Sequence, residues 1–320
     1  MDPTCGGLVD LRDTRAYPPD VHSQRALMTL SSRPALVEGL QPLADRYDLV
    51  LCDVWGVLHN GVKAYDAAGE ALTEFRNRGG RVVLVSNAPR PGSAVGVQLD
   101  GFRVLRSAYD AIVTSGDLTR LAIEERLDKV VHHIGPPRDM PVYEGLDVRF
   151  GSIEEADYVV CSGFEDDERE TAEDYRLRLE AMLKRGLLMV CANPDLVVER
   201  GNVIVPCAGA IALAYEEMGG DVYYAGKPHE PIYEKAIAVA AGLNGREIPK
   251  DRVLAIGDAI RTDIAGAAGF GIDSLLIARG IHAEELGVHR GPLVSQHVQD
   301  WIDLQPVRPQ AIADVLSWAA

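Results

Sequence analysis

Cysteine is scarce in this sequence and forms no pattern: Cys5, Cys52, Cys161, Cys191 and Cys207 are odd in number and contain no C-x-x-C. There is thus no disulfide framework to read. Three of the five follow or sit within apolar runs, where a reduced thiol acts as a small core residue, and a reducing cytoplasm is the expected location. Basic residues are also in deficit, with 32 Lys and Arg against 48 Asp and Glu, a formal charge of −16. Nucleic acid and anionic membranes are bound mainly through Lys and Arg, so neither is an expected partner. No run reaches the ~20 apolar residues needed to cross a bilayer. The first residues hold acids and prolines but no apolar signal-peptide core. Repeats and low-complexity tracts are lacking. What is present is an ordinary globular composition, 47% hydrophobic and 25% charged over 320 residues. That length suggests two domains, or one carrying a large insertion.

The chain is organised around YDLVLCDVWGVLHNG, Tyr47 to Gly61. Leu49, Val50, Leu51 and Cys52 read as a short strand buried on both faces, as in parallel sheets, and the strand ends on Asp53. In open α/β sheets the ligand crevice lies outside the carboxyl ends of the strands. An acid in that place meets a cation or a substrate, or merely caps its own turn.

Residues 1–32 are polar, with Gly6-Gly7 and Pro18-Pro19, and read as a loosely attached extension. Leu36, Val37, Leu40 and Leu43 have a helical spacing over 34–46. Tyr65, Ala68, Leu72 and Phe75 share a helix face stopped by Gly79-Gly80, and strands are expected at Arg81–Val85 and Ala111–Thr114. A second α/β unit follows, with strands at Lys129–Ile134, Tyr158–Cys161 and Leu187–Cys191 and helices at Ala172–Lys184 and Pro206–Met218. The first sheet is expected to resume at Val222–Ala225. It would continue through Arg252–Ile256 and Ser274–Ala278, with a helical tail over Val307–Ala319. The fold class is α/β, a doubly wound parallel-sheet core.

Four strand ends then carry polar groups: Asp53, Ser86, Lys227 by way of its loop, and Asp258 with Asp263. Neighbouring parallel strands would bring them to one crevice. The set is coherent for phosphoryl chemistry. Asp53 can attack phosphorus, Ser86 can hydrogen-bond a phosphoryl oxygen, Lys227 can neutralise both, and Asp258 can help hold a divalent ion. Hard oxygen ligands suit Mg²⁺. In so acidic a chain, a phosphate site needs local positive charge. Each member alone is also ordinary turn or cap chemistry.

In the order and spacing of four motifs, DVWGVLHNG, VSNAPR, AGKP and GDAIRTDIAGA, the sequence resembles the haloacid dehalogenase (HAD) superfamily of hydrolases. The resemblance covers Tyr47 to Ile281 and is specifically to class IIA, the sugar-phosphate and nitrophenyl-phosphate phosphatases. CANPD and PCAGAIALAYE resemble that branch's inserted α/β cap. The likeness implies a Rossmann-like core over 34–117 and 221–320 with a class II cap over 118–220. It implies a nucleophile at Asp53, phosphate contacts at Ser86 and Asn87, and the lysine at Lys227. Metal ligands would be Asp53, the Trp55 carbonyl, Asp258 and, through water, Asp263. Asn193 and Asp195 fall near the cap's specificity surface, or in an ordinary Asn-Pro turn. Mg²⁺ is the expected cofactor and a small phosphorylated metabolite the expected partner; assembly as a homo-oligomer is left open.

One position departs from the family. Its phosphatases carry a second Asp two residues after the nucleophile, as acid and base for the leaving group; here Trp55 stands there. An indole N–H donates a hydrogen bond but cannot shuttle a proton near neutral pH. His59 is a candidate substitute by its ordinary pKa, or a solvated loop histidine. Two alternatives to a phosphatase therefore stand: a phosphate-binding or regulatory protein of the same fold with little turnover, and a dehalogenase-like hydrolase, which also has an aromatic-Gly pair at this place.

Overall fold

The computed structural model describes residues 33–201, 203–289 and 291–319. The expected N-terminal extension lies, through residue 32, outside the described residues. A seven-stranded sheet runs in the order Ala35–Val37, Ala311–Ala313, Asp273–Ile277, Val253–Gly257, Leu49–Cys52, Arg81–Ser86, Ala111–Thr114. Every pairing in it is parallel. Parallel strands need crossovers, and helices such as Asp66–Asn77 and Glu230–Asn244 supply them on the two faces. Leu49, Leu51, Val83 and Val85 pack into one apolar layer with Ile232, Tyr233 and Ala236 of the second of these helices. Val50, Cys52, Val82 and Leu84 face the other way, onto Ala68, Leu72 and Phe75 of the first. Side chains alternate across a strand, so a strand covered on both faces must be apolar throughout.

A second, five-stranded parallel sheet has the order Val222–Tyr224, Leu188–Cys191, Tyr158–Cys161, Val130–Ile134, Arg149–Phe150. Helix Ser115–Glu124 joins the two units: Leu118 is buried in the layer of the first sheet, Ala122 and Ile123 in that of the second. Thr114 caps that helix, accepting from the Asp117 N–H while Asp117 accepts from the Thr114 N–H.

Several expectations are corrected. Val222–Tyr224 does not resume the first sheet; it pairs with Leu188–Cys191 at the edge of the second, and the return to the first unit comes after it. The stretch 34–46 is not one helix, because Ala35–Val37 pairs with Ala311–Ala313 as an edge strand. The tail is likewise not helical over 307–319, where Ala311–Ala313 is that strand's partner; a helix precedes it at Ser295–Ile302. An antiparallel hairpin, Val197–Arg200 with Val203–Pro206, had not been expected at all. Among the described residues, no helix is long and apolar enough to cross a membrane.

Candidate active site

The strands ending in Asp53, Ser86 and Asp258 are neighbours, so the three residues stand side by side at the carboxyl edge of the first sheet. The Asp53 N–H donates to the Ile256 carbonyl at 2.8 Å, continuing the ladder to the acid itself. Lys227 arrives from the crossover between the sheets. Its Nζ lies 2.5 Å from Asp53 Oδ1 and 2.7 Å from Asp263 Oδ1, and the residue is only 4% exposed. Carboxylate oxygens of Asp53, Asp258 and Asp263 all lie within 4.8 Å of one another.

Two glycines make room for these acids. Gly56 has φ +82°, and a Cβ there would fall 2.0 Å from Asp258 Oδ2. A Cβ on Gly257 would fall 2.0 Å from Asp263 Cγ. Either substitution would push a carboxylate out of the cluster. The Ile281 N–H holds Asp258 Oδ2 at 2.8 Å, and the Ala259 N–H holds Asp263 Oδ2 at 3.1 Å.

Burial raises the Asp53 carboxyl to about 7, with Asp263 and Asp195 adding to the rise and Lys227 opposing it. Asp258 is pushed up well above the usual carboxylate range by burial and by Asp53 and Asp263. Burial disfavours the Lys227 ammonium, but Asp263, Asp53 and Asp195 outweigh it and raise its pKa. One lysine thus leaves the cluster short of positive charge. A hard divalent cation among these oxygens would relieve the repulsion, and the donor set fits Mg²⁺.

Asn87 ties the two units together. Its Oδ1 accepts from the Lys227 N–H at 2.8 Å, and its Nδ2 donates to the Lys227 carbonyl at 3.0 Å and to Asp195 Oδ1 at 2.9 Å. Ser86 Oγ accepts from the Ala88 N–H at 3.2 Å. Asn193 Oδ1 accepts from the Asp195 N–H at 3.1 Å, the Asn-Pro turn anticipated as its ordinary role, and both residues line the site cavity.

Trp55 points its indole into the hairpin, where Nε1 donates to the Glu199 carbonyl at 2.6 Å. Beside it, the Gly201 N–H donates to the Asn60 carbonyl at 3.0 Å. His59 is 1% exposed, with its ring centroid 5.0 Å from that of Trp55 and 4.7 Å from that of Phe102. Its Nδ1 accepts from the Gly61 N–H at 2.9 Å, and burial lowers its pKa to about 4. At neutral pH this is a neutral, packed imidazole with no acidic proton to give.

A cavity of about 670 Å³ opens between the units over these residues. Its far wall contains Arg138, Asp167 and Arg200, which the sequence reading missed. Asp167 accepts from Arg138 Nη2 at 2.6 Å and from Arg200 Nη2 at 2.8 Å. Nothing in the local sequence joins these three, because their contacts span dozens of residues. The hairpin could have been found from Gly201-Asn202 between two Val-rich runs.

A nucleophile-grade carboxylate, a buried lysine and a metal-competent acid cluster at the switch edge of a parallel sheet define a phosphoryl-handling hydrolase of the doubly wound α/β class. The profile of the haloacid dehalogenase-like hydrolases matches residues 50–149, and a HAD-hydrolase-like profile matches 224–317. The crystal structure of a haloacid dehalogenase-like hydrolase from Brucella suis 1330 is 44% identical, over 88% of this chain and 100% of that one, with a TM-score of 0.78. The 5'-nucleotidase YutF of Bacillus subtilis (strain 168) is 25% identical over 75% of this chain and 90% of its own length. The structure of a glycerol phosphate phosphatase from Mycobacterium tuberculosis in complex with magnesium is 23% identical, over 85% of this chain and 76% of that one, with a TM-score of 0.62. The chain belongs to the haloacid dehalogenase-like hydrolases, in their class IIA phosphatase branch.

Proposed function

We propose that the protein hydrolyses a small phosphate monoester with Mg²⁺, through an aspartyl-phosphate on Asp53. The observation that supports this best is the Lys227 ammonium 2.5 Å from Asp53 Oδ1, beside two further carboxylates at the floor of the cavity. Lys227 favours the Asp53 carboxylate against the burial that raises its pKa, and fixes its orientation. Asp53 attacks phosphorus, and the ester oxygen leaves on the opposite side, facing the cavity. Ser86 Oγ and the polypeptide around Asn87 sit at the next strand end, where the phosphoryl oxygens would lie, and Asn87 keeps Lys227 in place. Asp258 and Asp263, with Asp53 and the Trp55 carbonyl, would hold Mg²⁺, which supplies charge neutralisation for the phosphoryl group when bound. The second unit, which runs through the strand Val222–Tyr224, would serve as a cap that covers the site, excludes water and selects the leaving group. Glycerol phosphate and nucleotide monophosphates, suggested by the names of the relatives, are the first substrates to try.

A second reading, a binding or regulatory protein with little turnover, is favoured by one observation: the indole at the acid position is bonded to Glu199 and cannot transfer a proton. The experiment is phosphate release from a panel of phosphate monoesters with Mg²⁺. Turnover in the wild type, lost in the near-isosteric Asp53→Asn with its thermal melt retained, supports hydrolysis at Asp53. Equal turnover in both proteins would exclude it, and no turnover in the wild type would leave the binding protein.

A further inference from the structure

The leaving alcohol of a phosphate ester needs a proton, and the two groups of the first unit placed to give one do not have it. Trp55 is committed to Glu199, and His59 is a neutral imidazole packed among aromatic rings. In an in-line displacement the ester oxygen departs away from the nucleophile, toward the second unit. Four acids of that unit line the cavity: Asp139, Asp167, Asp195 and, in the hairpin strand beside the Trp55 indole, Glu199. Asp167 is held ionised by Arg138 and Arg200, and Asp139 has Arg90 at 4.0 Å. Asp195 differs from both. Its hydrogen-bond partner is the neutral amide of Asn87, itself bonded to Lys227, and its charge is felt by Asp53.

Resting on the phosphate-monoester hydrolase reading above, we propose that Asp195 is the general acid and base of the reaction, carrying out from the second unit the proton transfer that Trp55 cannot perform in the first. The backbone holds it in place on both sides. Its N–H donates to Asn193 Oδ1 at 3.1 Å, and its carbonyl accepts from the Gly209 N–H at 3.1 Å, at the start of helix Ala208–Glu217. Burial raises its carboxyl to about 6, with Lys227 and the Asn87 bond opposing the rise, so a protonated fraction is present near neutral pH. A neutral Asp195 also spares an incoming phosphate a fourth carboxylate beside Asp53, Asp258 and Asp263.

The step balances. As the bond from Asp53 to phosphorus forms, the bond from phosphorus to the ester oxygen breaks with its electron pair left on that oxygen. The Asp195 proton passes to it and the alcohol departs. Asp195, now a carboxylate, then takes a proton from water as the water oxygen attacks phosphorus and frees Asp53.

The test compares glycerol 1-phosphate, whose alkoxide must be protonated, with 4-nitrophenyl phosphate, whose phenolate leaves without a proton. In Asp195→Asn, which keeps the acceptor for Asn87, the ratio of alkyl to aryl kcat should fall by ~10²-fold or more, within the range of a positioned acid. An unchanged ratio, whether both rates fall alike or neither falls, would overturn the proposal. Asp195→Ala with added formate gives a second reading: recovery of alkyl turnover supports a lost carboxyl proton, and no recovery argues for a positioning role only. A wild type that releases phosphate from neither ester removes the hydrolase reading, and this proposal with it.

Discussion

Replacing Trp55 by Phe isolates the contact between the two units at the mouth of the site. The change keeps an aromatic ring beside His59 but deletes the outer ring edge against Gly61 and the indole N–H that lies 2.6 Å from the Glu199 carbonyl. A net hydrogen bond contributes ~0.5–1.5 kcal/mol, and losing a donor to a carbonyl shielded from water costs more, up to ~3 kcal/mol. This carbonyl is part-buried, so ~1–2 kcal/mol is the expected loss. The bond from the Gly201 N–H to Asn60 remains, and the hairpin Val197–Pro206 should therefore loosen rather than unfold. At about 1.4 kcal/mol per tenfold, local opening of the hairpin becomes roughly 5–30 times more frequent. Hydrogen exchange reads this directly. Amides of 197–201 and 203–205 should exchange faster by that factor in Trp55→Phe, while those of Leu49–Cys52 keep their wild-type rates. KM for a phosphate ester should rise with little change in melting temperature. Unchanged exchange in the hairpin would refute the idea that the indole tethers it, and faster exchange in the central strands would show that Trp55 supports the whole core instead.

Two further predictions concern the acids. Mg²⁺ should raise the melting temperature by the linkage expected of a native-state ligand, about 2.7 kcal/mol at a hundredfold excess over Kd; Asp258→Asn should abolish most of that gain, and an undiminished gain would place the ion elsewhere. Asp110 accepts from Arg76 and Arg81 and from the Val82 N–H, and although burial opposes them, these partners hold its carboxyl below the usual range. A carboxyl depressed on folding stabilises the protein above its unfolded pKa of ~3.9 and loses that contribution as pH falls further. Asp110→Asn should thus cost ~1.5–3 kcal/mol at pH 7 in urea melts, with the gap to wild type closing below about pH 4. A gap that does not change with pH would contradict this account of Asp110.

What the sequence made legible follows from how local each signal is. Leu49–Cys52, Arg81–Ser86 and Val253–Gly257 are short apolar runs flush against a polar residue, so both the strands and the line of groups at their ends could be read directly. Val222–Tyr224 is an equally clear strand, but nothing in three residues says which sheet it joins. The tail was misread because a three-residue strand has too few positions to show alternation. Asp195 was legible as a residue near the cap surface. Its bond to Asn87 joins positions 108 apart, and Trp55 with Glu199 joins positions 144 apart; only the folded chain brings either pair together.

The central claim is that Asp53 carries the phosphoryl group. The most direct measurement is to stop the reaction with acid during turnover of a phosphate ester and analyse the peptide that contains Asp53 by mass spectrometry. A phosphoryl group on that carboxylate, absent from Asp53→Asn and from samples quenched after the substrate is exhausted, is the result the geometry predicts. Steady release of phosphate with Asp53 never modified, or with the label on another residue, would contradict it.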